Sequence, residues 1–170
     1  MTQRSVVYQE IVQRLNGGLR DLDRIPNRVR LTWSRARRSD PDQDFLIDSV
    51  ALNLHGFYSG LERIFELIAR QIDQTMPVGD MWHRDLLKQM AEPVPELRPA
   101  VIGESSFRFL DEMRRFRHLV RNVYTFNLDP NKIDPLANAL AETWPRLRLE
   151  LLAFGEFLTE LADASKTQDS

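Results

Sequence analysis

Between Glu112 and Phe126 the chain reads EMRRFRHLVRNVYTF, with no glycine or proline to interrupt a helix. At about 3.6 residues per turn, Arg114, Arg117, Arg121 and Tyr124 share one face, with His118 and Asn122 on its shoulder. Phe109, Phe116, Val120 and Val123 share another. The apolar face packs inward, and the guanidiniums on the other can hold phosphate or carboxylate through their fork of donors. Two explanations stand for such a face. It is a solvated surface bonded to neighbouring carboxylates, or it is an anion site. The second gains from the mixture, since Arg, His, Asn and Tyr together supply donors, a titratable imidazole and a hydroxyl.

The rest of the inventory narrows the chemistry. Cysteine is absent, which excludes disulfides, thiol catalysis and thiolate metal sites. There is no glycine-rich phosphate loop, no HExxH and no serine elbow, and His55, His83 and His118 do not form a ligand spacing. The expectation is therefore neither metal nor cofactor. An enzyme of this composition works with Arg, His, Asn, Tyr and backbone groups alone. Metal-free RNA cleavage fits that set, because RNA brings its own nucleophile, the 2′-hydroxyl, and the protein need only move a proton and stabilise a charged transition state. The net charge of −2 gives no general attraction for polyanions, so any basic surface is local. Twenty of the 23 basic residues are Arg, and six lie between Arg24 and Arg38 with no acid among them. A helix C-terminus explains some of that run; a second basic patch is the sharper explanation.

The elements that must position these groups are helical throughout. Residues 4–39 carry apolar positions at threes and fours, interrupted by Gly17-Gly18 and Pro26, which predicts a kinked or broken helix. A second helix over about 45–74 has a seam from Leu46 through Ile72, with His55, Tyr58 and Glu62 on its flank and Gly56 and Gly60 allowing close helix approach, within a bundle or across a dimer. For His55 a packed, hydrogen-bonded histidine is the simpler reading. A short helix over 81–91 is capped by Asp80, and its Trp82 and His83 read as packing and surface residues. A proline-rich loop precedes the motif helix, capped at Ser105 or Ser106. The last helix has Leu140, Trp144, Leu147, Leu151, Phe154, Leu158 and Leu161 in four-three alternation, with a kink or restart expected at Pro145. The fold expected is all-α: an antiparallel, up-and-down four-helix bundle with an extra short helix, one domain over 1–164 and a polar tail over 165–170. No apolar run approaches 18 residues and no signal pattern opens the chain, so no membrane anchor is expected and the simplest location is the cytoplasm.

The run from Phe116 to Tyr124 resembles the signature of HEPN domains, specifically the HepT-like group, in which an Arg and a polar residue are followed by three residues, a His, any residue and a Tyr. Arg117, His118 and Tyr124 take the Arg, polar and Tyr positions, while Asn122 stands where the family has its His. Leu54 to Ile68 resembles the family's second helix, and the likeness spans roughly 45–160. It implies a HEPN-type bundle that pairs as a homodimer, motif helices facing across a two-fold axis, and an endoribonuclease toxin. Arg117 would bind the scissile phosphate, with Arg114 and Arg121 adding RNA or phosphate contacts. It also implies a partner, a minimal nucleotidyltransferase (MntA-like) antitoxin that attaches AMP to the motif Tyr, here Tyr124. Asn122 cannot act as acid or base near neutrality, so general-base help in catalysis must come from His118, the only imidazole nearby in sequence, or be missing. The alternative is a catalytically degenerate HEPN dimer that binds RNA or a partner.

Overall fold

The computed structural model describes residues 3–38, 41–122 and 128–167, the side chains of residues 121, 122 and 167 excepted. The fold is all-α. The described residues form α1 (Gln3–Leu22), α2 (Ile25–Ala36), α3 (Gln43–Gln71), α4 (Trp82–Ala91), α5 (Glu104–Asn122) and α6 (Pro130–Thr167). The β pairing among them is one isolated bridge between Val94 and Arg98.

α3 is the centre, packing against every other helix. The seam read from the sequence is its buried stripe: Val50, Leu54, Phe57, Leu61, Ile64 and Ile68 are all enclosed. The break in the first helical segment falls at Asp23-Arg24, while Gly17 and Gly18 remain helical. Pro26 sits in the first turn of α2, where a missing N–H costs nothing. Gly18 serves packing instead. A Cβ there would lie 2.9 Å from Cδ1 of Ile64, and one on Gly60 would lie 2.9 Å from Cδ2 of Leu22. These two glycines let α1 and α3 approach within the subunit; Gly56 faces open space. Two indole–carboxylate bonds then stitch the broken rod to α6. Trp144 Nε1 donates to Asp23 Oδ1 at 2.9 Å, and Trp33 Nε1 to Asp134 Oδ1 at 2.8 Å.

α6 runs unbroken through Pro135 and Pro145 to Thr167. An interior proline costs about 3 kcal/mol. Here Leu140, Trp144, Leu147 and Leu151 are buried on both sides of Pro145 and hold the helix as one element. The helix begins where Asp129 Oδ1 accepts from the Asn131 amide at 2.9 Å, with Pro130 at the first position. Its end passes Ala164, with Ser165 Oγ donating to the Leu161 carbonyl, so the first residues of the expected tail are helical. The expected serine cap of α5 is not used. The helix opens already at Glu104, the Phe107 amide bonds to the Gly103 carbonyl, and the Ser106 hydroxyl is buried without a hydrogen-bond partner. Nor does Asp80 cap α4, which follows Met81 with no side-chain cap.

The loop between α4 and α5 is fixed by Arg98. Its enclosed guanidinium donates to Asp73 through Nε (2.5 Å) and one terminal nitrogen (2.7 Å), and to the carbonyls of Gln89, Glu92 and Pro99. Gln89 adds a bond to Asp73 Oδ2 at 2.6 Å. The end of α3, the end of α4 and the loop leading into α5 are thereby tied at one point.

Candidate active site

The polar flank of α3 carries His55, Ser59, Glu62, Arg63 and Glu66, at helical spacing along one side of the buried stripe. The first two residues of α4, Trp82 and His83, come against it, and α5 brings Arg117. Together these side chains line an open groove of about 550 Å³.

Glu62 is the groove's pivot. It is 4% exposed, and a carboxylate so enclosed is costly unless it is paired. One oxygen lies 2.6 Å from His83 Nδ1 and the other 3.6 Å from a terminal nitrogen of Arg117. Arg117 Nε also donates to Ser59 Oγ at 3.1 Å. The Trp82 ring stacks on the His83 imidazole, centroids 3.6 Å apart and planes at 29°, which fixes the ring's plane. Beneath lies Tyr58, almost wholly buried. Burial first, then the charge of Glu62, raises its hydroxyl well above the ordinary tyrosine value, while Arg114 and Arg117 oppose the shift. Tyr58 thus keeps its proton more firmly than a free phenol, and it is not among the groove's lining residues.

The arginine face of α5 is turned inward further than its pattern implied. Met113 and Phe116 are buried, and Arg117 reaches the flank of α3. Arg114 pairs with Asp111, its Nε donating at 2.9 Å, and Arg115 reaches the other oxygen of the same carboxylate at 2.7 Å. Arg114 therefore stands within an ion-paired cluster on its own helix and does not line the groove, whereas Arg117 does. His118 is exposed and is not among the groove's lining residues. Arg121 and Asn122 close α5 with their backbone, but their side chains lie outside the described residues, as does all of Tyr124. Among the described residues no cluster of three His, Asp or Glu side chains has the arrangement to hold a metal ion.

Two residues of this constellation escape sequence reasoning in different degrees. Glu62 was visible on the flank of α3 with His55, but its burial was not. His83 gave no signal, because 21 residues separate it from Glu62 and no helical or motif spacing relates the two.

A family model described as HepT-like protein matches residues 49–158, from within the second turn of α3 to near the end of α6. No curated protein and no solved structure matches the chain. Well over half of the sequence, including every residue that lines the groove, falls within the family match, and the protein is therefore a member of the HepT-like family.

Proposed function

We propose that this protein is a toxin of the HepT-like kind, a metal-independent endoribonuclease acting in the cytoplasm and controlled by adenylylation of Tyr124 by a minimal nucleotidyltransferase antitoxin. The observation that carries the reading is the placement of Arg117. The residue at the motif's Arg position lines an open groove together with two imidazoles, those of His55 and His83. A guanidinium fork suits the two non-bridging oxygens of a phosphodiester, and an imidazole suits proton transfer near neutrality. The attacking group is the RNA's own 2′-hydroxyl. Among the described residues no helix is long and apolar enough to cross a membrane.

The family's arrangement, a four-helix bundle with α1 and α2 as one broken rod beside α3, α5 and α6 and with α4 added, pairs in this reading as a homodimer through α3 and α5. Phe45 and Leu52, two turns apart on α3, are 76% and 70% exposed, which favours a partner on that helix. Sedimentation at micromolar concentration is expected to give a species of roughly twice 19.9 kDa. A monomer alone would rule the homodimer out.

Tyr124 is expected to be the adenylylation acceptor. Intact-mass analysis after co-expression with the cognate transferase should show one AMP per chain, lost in Tyr124→Phe. A mass shift that survives this substitution places the acceptor elsewhere.

The cleavage itself is tested with labelled single-stranded RNA in EDTA, where the parent protein should cut. Cleavage abolished by EDTA would sink the metal-independent mechanism. A second reading, a HEPN dimer that binds RNA or a partner without cutting, draws on Asn122 at the motif's His position. Binding with no cleavage would decide for it.

A further inference from the structure

Resting on the ribonuclease reading, we propose that the His83–Glu62 pair supplies the proton transfer that Asn122 cannot: His83 is the general base and Glu62 its positioning residue. The geometry is that of an oriented imidazole. Nδ1 of His83 is engaged by the Glu62 carboxylate at 2.6 Å. A carboxylate only accepts, so Nδ1 carries the hydrogen, and in the neutral imidazole Nε2 then presents its lone pair. The stacked Trp82 ring restrains rotation about the remaining axis. Glu62 in turn is fixed by burial and by Arg117 on its other oxygen. One carboxylate therefore sets the imidazole and the phosphate-binding guanidinium side by side, both lining the same groove.

The step balances without a further reactant. Nε2 of His83 takes the proton of the 2′-hydroxyl as that oxygen bonds to phosphorus, and the bond from phosphorus to the 5′-oxygen breaks. The leaving oxygen takes a proton from water in the open groove, and His83 returns its own to the resulting hydroxide. The products are a 2′,3′-cyclic phosphate and a 5′-hydroxyl. Arg117 stays on the non-bridging oxygens throughout, where the charge grows.

The same bond also staples α4 to α3, so the test must separate chemistry from scaffolding. His83→Gln keeps a side-chain amide that can donate to Glu62 but removes the base; His83→Ala opens space for added imidazole. With labelled single-stranded RNA in EDTA and the full chain, both variants should lower kcat by about 10²–10⁴-fold while KM changes by only a few-fold. Imidazole in the buffer should restore part of the rate of His83→Ala and none of that of Arg117→Ala. Glu62→Gln should lower kcat with KM held and the helical circular dichroism unchanged. His118→Ala, at an exposed position outside the groove, should leave kcat within a few-fold of the parent. A folded His83→Gln that cleaves at the parental rate, or a loss of rate seen with His118→Ala instead, overturns the assignment and leaves the ribonuclease reading standing. A parent that cuts no RNA overturns both.

Discussion

Arg98→Met is expected to lower the stability of the protein by about 3–5 kcal/mol, the range for breaking a buried ion pair by removing one partner. For a chain of this size that corresponds to a fall in thermal midpoint of roughly 6–20 °C. The size follows from complete use of the side chain. All five N–H groups of the guanidinium have acceptors: two go to the Asp73 carboxylate and three to the carbonyls of Gln89, Glu92 and Pro99. The side chain is fully enclosed and the Asp73 side chain is 4% exposed. Methionine fills much of the volume but leaves a carboxylate with Gln89 as its remaining donor and three carbonyls with nothing in place of the guanidinium. Asp73→Leu in the same chain should recover part of the loss, because the uncompensated charge is then removed as well. A thermal melt of the three proteins measures this, and a loss below 1 kcal/mol for Arg98→Met would mean the loop does not depend on the pair. Activity should fall with stability, since the same cluster anchors α4, whose first turn carries Trp82 and His83.

How far the sequence carried the fold is clearest on α3 and α6. Residues spaced by fours and threes, from Val50 to Ile68 and from Leu140 to Leu158, are the buried stripes of those helices, because periodicity reports directly which side of a helix avoids water. Punctuation was less dependable. Gly17-Gly18 looks like a break, yet Gly18 is held helical by its close fit against Ile64. Pro145 looks like a restart, yet its neighbours are buried deeply enough to carry the helix past it. Tertiary packing decided both.

The site was legible only in part, for a related reason. A helical wheel says that Arg114 and Arg117 share a face, but not which neighbour that face meets. It meets the flank of α3, so Arg117 engages Glu62 and Ser59 while Arg114 is drawn to Asp111. The His83 imidazole comes from the start of α4, brought to the groove by the turn after α3 and by the Arg98 cluster. That juxtaposition belongs to the tertiary fold alone.

Arg117→Ala should reduce RNA cleavage by about 10²–10³-fold, the cost of removing one preorganised donor from the charge that develops in a transition state. The loss should appear mainly in kcat, because the fork is worth most when the equatorial oxygens carry the extra charge. Arg117→Lys should fall between the two, since an ammonium keeps the charge and loses the planar pair of donors. Stability complicates the experiment in a predictable way. With Arg117 gone, Glu62 is an enclosed carboxylate that keeps its hydrogen bond to His83 but has lost the guanidinium on its other oxygen, so the thermal midpoint should fall as well. Adding Glu62→Gln to Arg117→Ala relieves that charge and should restore the midpoint without restoring cleavage. A double variant that regained both would mean Arg117 acts by holding the helices together. An Arg117→Ala protein that cuts within tenfold of the parent would remove the guanidinium from the phosphate altogether.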